Sequence, residues 1–210
     1  MRLFRICFLE RCLYPEAIFR VKTTEKILYL TFDDGPDPDS TPQLLDLLGR
    51  YNIKAQFFCS GSAALKYPDL VSNIKNSGHL IGNHGFNHLN GWKTSQKKYL
   101  ADVSEAAQYT SCDFFRPPYG RLRFTQYRKL KKNYRIIFWD LMPYDFDNSF
   151  GAENTLKILK NKIRPGSVIV LHDTSHSNAN IILNGFIVFS LKKGYRFELM
   201  KLLTQESPRL

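Results

Sequence analysis

A parallel α/β fold is the architecture this sequence predicts, and three observations predict it. Segments rich in β-branched and aromatic residues alternate with segments of helical periodicity, the order in which each strand is followed by a crossover helix. The apolar runs are continuous rather than alternating, as in strands covered on both faces. The turn after the first strand reads "DDGPDP" (33–38) and holds no glycine-rich phosphate loop, which counts against a nucleotide-binding sheet. About seven strand–helix units, read from periodicity, suit either an incomplete barrel or an open doubly wound sheet.

The elements follow in order. Ile27 to Asp33 is apolar and β-prone, and reads as the first strand. Thr41 offers an N-cap with Pro42 at the first helical position, and Leu44, Leu45, Leu47 and Leu48 supply the apolar stripe. Ala55 to Phe58 is a short buried strand. Pro68 opens a helix carrying Leu70, Val71 and Ile74, with Gly78 placed to end it. His79 to Gly82 is the third strand. Thr94 begins a polar helix with Leu100, Val103 and Ala107 on one face. "FFRPP" from Phe114 ends the fourth strand, because two prolines cannot continue a ladder. A basic helix surrounds Tyr127 and Leu130. Tyr134 to Trp139 is the fifth strand, and a helix over Glu153 to Ile163 stops at Pro165-Gly166. Ser167 to His172 is the sixth strand. A long apolar helix runs to Lys193, Gly194 ends it, and Tyr195 to Met200 is the seventh strand.

The chain has 210 residues, 43% hydrophobic and 14% aromatic, enough for one domain with a sizeable core. No run approaches a membrane span. At the start, Arg2 and Arg5 precede an apolar run from Ile6 to Leu9 that stops at Glu10 and Arg11, too short for a secretory signal. The segment reads as an amphipathic helix packing on the domain, or as a membrane-surface contact. Cys7, Cys12, Cys59 and Cys112 match neither a zinc pattern nor a disulfide framework, which favours reduced thiols and a cytoplasmic location. The net charge is +11, with Lys and Arg concentrated from Gly120 to Arg135. A solvated helix face accounts for that stretch, and the alternative is an anionic partner.

The polar outliers fall at the predicted carboxyl ends of strands, where parallel α/β folds build active sites. Asp33 and Asp34 close strand one. His84 and His88 follow strand three, and Arg116 closes strand four. Asp140 and Asp145 follow strand five, and His172 and Asp173 close strand six. His84 and His88 are four apart, so on one turn both imidazoles point the same way, and with one carboxylate they make a three-ligand metal site open to water. His79 sits inside a strand and reads as a core histidine. His176 lies in a polar loop and carries no signal.

From roughly Lys26 to Leu199 these segments resemble the polysaccharide deacetylases with a NodB homology domain, carbohydrate esterase family 4. "TFDDGP" (31–36), "HGFNH" (84–88), "RPPYG" (116–120), "WDLMPYDF" (139–146) and "IVLH" (169–172) match its five motifs in order. The resemblance implies a distorted (β/α) barrel of about seven parallel strands, in agreement with the count from periodicity. It implies that Asp34, His84 and His88 hold one divalent metal, Zn²⁺ by default, with Co²⁺, Mn²⁺ or Fe²⁺ as alternatives. It makes Asp33 the general base and His172 the acid that protonates the leaving amine. Arg116 orients Asp33, Asp145 keeps His172 charged, and the Tyr119 N–H serves the oxyanion. Pro118, Phe146 and Leu171 line the substrate pocket.

Three positions depart from the family pattern. Gly85 stands where a Ser or Thr usually braces the histidine loop, Phe146 replaces a Trp, and Met142 stands where Asp is common. The implied function is removal of N-linked acetyl groups from a chitooligosaccharide, peptidoglycan or glycolipid precursor. The rival readings are an O-acetyl esterase on the same groups, and a non-catalytic barrel that binds glycan or nucleic acid. The expected partners are an acetylated glycan and, peripherally, an anionic surface through the N-terminal segment, which would place a monomer at the cell envelope instead. No specific nucleic-acid contact is expected. The expected organisation is an N-terminal segment (1–25), a deacetylase domain (26–203) and a tail (204–210).

Overall fold

The computed structural model describes residues 4–5, 8–110 and 113–200. Arg2, Ile6, Cys7, Cys112 and the 204–210 tail, named above, lie outside the described residues. Seven parallel strands form one curled sheet in the order β5–β4–β3–β2–β1–β6, with β7 also paired to β1. They are β1 (Ile27–Asp34), β2 (Gln56–Cys59), β3 (Leu80–Asn83), β4 (Phe114–Phe115), β5 (Arg135–Ile136), β6 (Ser167–His172) and β7 (Arg196–Phe197). β1 and β6 form the longest pairing, in register from Leu28 opposite Ser167 to Asp33 opposite His172. Both strands are buried along nearly their whole length, as their unbroken apolar runs require.

The helices are α1 (Phe8–Leu13), α2 (Thr41–Arg50), α3 (Gly61–Lys66), α4 (Pro68–Asn76), α5 (Gln96–Ala106), α6 (Phe124–Leu130), α7 (Ala152–Lys162) and α8 (Ala179–Lys192). The main core lies under α2, α7 and α8, where Leu44, Leu48, Leu159, Leu183 and Phe186 meet Leu28, Leu30 and Phe32 of β1. A second cluster packs Tyr14 and Phe19 of the N-terminal segment on Tyr127, Leu130 and Phe138. Among the described residues no helix is long and apolar enough to cross a membrane.

Several elements differ from the sequence expectation, each for a tertiary reason. The fifth strand is regular only over Arg135–Ile136, because Ile18 of the N-terminal segment bridges Ile137 and takes its edge. The chain then reaches β6, with Leu141 bridged to Ile169, so the sheet curls toward a barrel. The seventh strand is regular only over Arg196–Phe197, since β2 takes the same edge of β1 from Thr31 onward. Thr41 is not an N-cap. It is the first residue of α2, and its hydroxyl accepts from the Asp37 N–H (2.8 Å) and donates to the Asp173 carboxylate (2.6 Å). Asp37 instead receives the Asp39 and Ser40 N–H groups. The α5 N-cap is Ser95 rather than Thr94, and the buried face keeps Val103 as expected but is completed by Tyr99, Asp102 and Ala106 rather than by Leu100 and Ala107. The short helix α3, capped by Ser60, has no apolar periodicity to announce it.

Candidate active site

The first two acidic residues come from one strand end. β1 carries Asp33 inward, and Asp34 then turns with φ 77°, a left-handed conformation that Asp tolerates and that sends the two carboxylates different ways. Asp33 is buried, and its Oδ1 accepts from Arg116 Nη1 at 2.6 Å. Arg116 is fully buried. It also donates to Thr31 Oγ1 (2.7 Å) and to the carbonyls of Phe138 (3.0 Å) and Ile137 (3.3 Å), with its guanidinium 4.1 Å from the centre of the Phe58 ring. All sides of the cation are thus engaged, and one carboxylate neutralises it.

The two histidines come from the loop after β3. His84 Nδ1 faces the Arg116 carbonyl at 2.8 Å, which turns Nε2 toward Asp34. His88, with φ 53°, also brings Nε2 to Asp34, at 3.2 Å, and the His84 distance is 3.5 Å. Burial, partly opposed by Asp33, lowers the His84 pKa to about 4, so the ring is neutral and a lone pair is available. Burial pushes the Asp34 carboxyl upward, but the close approach of His88 and the fields of His84 and His172 outweigh it and hold it well below the usual carboxylate range.

A divalent metal fits these residues. One donor atom from each of Asp34, His84 and His88 lies within 4.8 Å of the other two. Asp34 Oδ1 is buried without a hydrogen-bond partner, an expensive state that a cation would relieve.

The loop that holds the histidines is braced by residues the sequence reading did not single out. Asp102 of α5 accepts from the Phe86 N–H (2.8 Å), the Asn87 N–H (3.0 Å) and Asn87 Nδ2 (2.8 Å). Asn83 Oδ1 accepts from the Gly85 N–H at 2.8 Å. Gly85 has φ 75°, and a Cβ there would lie 2.9 Å from Asp102, so glycine suits both the backbone and the approaching carboxylate. Asp102 therefore supplies the brace that a hydroxyl at position 85 would have given. The available signal was an acidic residue on the otherwise apolar face of α5.

His172 closes β6 opposite Asp33. Asp145 is fully buried and accepts twice, from the His172 N–H (2.7 Å) and from Nδ1 (2.9 Å), which leaves Nε2 directed away from it. Burial lowers the His172 pKa, but the Asp145 charge and hydrogen bond, with Asp34 and Asp33, overcome it and raise the value to about 9. Phe146 lies edge-on against His172 at 4.8 Å and is 46% exposed. Tyr119 is exposed, with φ 59°, and its ring centre lies 4.4 Å from that of His88. Pro118 is buried beneath it, and Leu171 is fully buried within the main core.

The structure thus brings together Asp33, Asp34, His84, His88, Arg116, Tyr119, Asp145, Phe146 and His172. A cavity of about 340 Å³ adjoins Asp34, walled by Asp37, Lys66, Tyr67 and Asp173 among others. Asp173 is buried, which with neighbouring carboxylates raises its pKa to about 7 against the Thr41 and Ser40 hydrogen bonds. His79 is a core histidine as expected: its Nδ1 accepts from the Ala55 N–H, and burial lowers its pKa to about 4.

Asp140 is a correction. It does not face the carboxyl ends of the strands. Its carboxylate accepts from Ser167, the first residue of β6, at 2.7 Å, and it gathers Arg5 (2.6 Å), Arg11 (3.4 Å) and Arg164. It ties the N-terminal segment to the opposite end of the barrel.

Comparisons with known proteins give the family. Residues 20–136 match the family model described as polysaccharide deacetylase. A peptidoglycan-N-acetylglucosamine deacetylase of Bacillus cereus is 35% identical over 188 residues, covering 85% of this chain and 68% of that protein. The peptidoglycan-N-acetylmuramic acid deacetylase PdaA of Bacillus subtilis is 30% identical, covering 87% and 73%. A crystal structure of a peptidoglycan N-acetylglucosamine deacetylase superposes with a TM-score of 0.86 at 30% identity, covering 96% of this chain and 98% of that one. With its strand-end carboxylates and histidines arranged on the same curled sheet, the chain belongs to the polysaccharide deacetylase family of hydrolases.

Proposed function

We propose that the chain hydrolyses N-acetyl groups of a sugar polymer or oligomer, with peptidoglycan-like strands as the substrate class. The observation that carries this reading is the difference between the surroundings of Asp33 and those of Asp34. One carboxylate is tied to a buried arginine, and its neighbour points at the ring nitrogens of two histidines with an oxygen unpartnered.

Asp34, His84 and His88 would hold the divalent ion, Zn²⁺ by default for this donor set. When bound, such an ion supplies Lewis acidity for activating water and polarising an acetyl carbonyl. Asp33 accepts the proton of the attacking water, and Arg116 fixes the carboxylate while balancing its charge. The Tyr119 N–H donates to the developing oxyanion. His172 gives its proton to the departing amine, and Asp145 keeps that ring oriented and charged. Phe146 and Pro118 shape the apolar wall around the acetyl methyl, with Leu171 packed behind it. We assign residues 26–203 to the catalytic domain and 1–25 to a segment packed on it. The Ile18–Ile137 bridge and the Asp140–arginine cluster support that division.

Acetate release tests the reading directly. The metal-loaded protein should release acetate from N-acetylglucosamine oligomers or peptidoglycan. Chelator should stop it, and Zn²⁺ should restore it. Release from acetylxylan alone, or release indifferent to chelator, would overturn the proposal.

Two further outcomes are expected. His84→Ala should bind far less than one metal per chain by elemental analysis, and equal stoichiometric metal in variant and parent would sink the ligand assignment. The rate should also fall as pH rises and His172 loses its proton. A bound cation offsets the Asp34 contribution, so the basic limb should lie between the ordinary value of 6.5 and about 9. Asp145→Asn removes the foremost cause of the raised value and should move that limb to lower pH. A pH–rate profile whose basic limb stays in place in Asp145→Asn would count against His172 as the acid.

A further inference from the structure

Beyond Tyr119 the rim of the site continues into two loops that touch. The Gly91 N–H donates to the Arg121 carbonyl at 3.2 Å, and a Cβ on Gly91 would stand 2.3 Å from that oxygen, so the approach requires glycine. Trp92 follows, and it is held from three directions. Its Nε1–H donates to the Leu122 carbonyl at 3.1 Å, its own carbonyl accepts from Arg123 at 2.7 and 3.2 Å, and the Arg121 guanidinium lies 4.0 Å from its ring centre. The indole is nonetheless 46% exposed. A large apolar ring has been fixed at the surface.

The charge around this ring is one-sided. Residues 89–101 and 114–135 contain no Asp or Glu, yet they include Lys93, Lys97, Lys98, Arg121 and Arg123. Among the described residues no carboxylate forms an ion pair with Arg121 or Arg123. A guanidinium over the face of an indole can still present N–H groups to a second partner, and its planar fork of donors is the geometry that pairs with a carboxylate. The patch begins two residues after Tyr119, whose ring meets the ligand His88. Trp92 in turn lies four residues after His88, so both loops of the patch continue directly from residues at the rim of the site.

We infer that Trp92, Arg121 and Arg123 form a subsite for a sugar unit that bears a carboxylate, displaced along the strand from the acetamide under attack. The indole takes the apolar face of the sugar ring, and the guanidinium groups take the acid. This rests on the deacetylase reading and narrows its substrate class to an acidic glycan strand in preference to a neutral one. Nucleic acid is less well matched, because it calls for a continuous groove with repeated stacking positions, whereas this patch presents one pinned indole that joins the catalytic rim.

The test changes one chemical feature of the ligand. Soluble peptidoglycan strands stripped of their stem peptides, so that the lactyl carboxylates on the sugar are free, are compared with the same strands after amidation of those carboxylates, in binding and in acetate release, using the metal-loaded protein. The parent should bind the acidic strands about tenfold more tightly at low salt, with Arg121→Gln bringing that ratio to within about twofold. Lys157→Gln makes the same change in net charge on α7, away from the patch, and should leave the ratio as in the parent. Trp92→Ala should weaken binding of both forms. Equal binding of the two forms by the parent, or a ratio that survives Arg121→Gln, would overturn the subsite. So would an oligonucleotide of similar length competing as well as the acidic strand. Absence of acetate release from both strands would instead overturn the deacetylase reading.

Discussion

Asp33→Asn should keep its metal and lose turnover, by ~10²–10⁴-fold, as removal of a general base typically does. Asp34→Asn should behave differently, binding much less metal and recovering part of its activity in excess Zn²⁺ or Co²⁺. The contrast follows from the local geometry. The Asp33 carboxylate is held by Arg116 at 2.6 Å, whereas Asp34 reaches toward His84 and His88. Asn is nearly isosteric with Asp, so neither exchange opens a cavity. Elemental analysis beside steady-state rates separates the two tasks. Metal loss in Asp33→Asn with retention in Asp34→Asn would reverse the roles. Full activity in both variants would reduce the doublet to a turn and remove the mechanism.

Arg116→Met should be costly to the fold as well as to the reaction. The side chain is fully buried and serves Asp33, Thr31 and two backbone carbonyls. Removing it leaves a buried carboxylate without its counter-charge, which typically costs about 3–5 kcal/mol. Denaturant unfolding should show a lower midpoint with a similar slope. Arg116→Lys should also fall well short of the parent, because an ammonium cannot reach all four acceptors from one position. His84 is oriented by the Arg116 backbone carbonyl rather than by the side chain, so the folded Arg116→Met protein should still load metal. An unchanged midpoint would refute the structural part of this account, and parental turnover would refute the positioning of Asp33.

Much of this protein is legible in its sequence because the signals are local. Continuous apolar runs mark β1 and β6, and a Pro or Gly brackets α2, α4 and α8. Asp33, Asp34, His84, Arg116 and His172 stand out as polar residues just where such runs stop, and strand ends on one side of a parallel sheet must converge. The spacing of His84 and His88, and the motifs in order, carry the family and the ligand set proposed here.

What only the tertiary structure decided are the features that depend on stagger between strands and on partners distant in sequence. Asp140 follows an apolar run as Asp145 does, yet it meets Ser167 at the start of β6 while Asp145 meets His172 at its end. The chain from 137 to 141 runs alongside β6 without regular pairing, so its place along the sheet is set by Ile18, Val168 and Ile169 rather than by its own pattern. The brace at Asp102, the Thr41–Asp173 bond and the pinned Trp92 likewise join segments that no period connects. Hydrophobic periodicity reports which face of an element is buried, and it identifies the core. It does not report which buried polar groups meet, because each such group is satisfied by whatever donor or acceptor the packed neighbour presents.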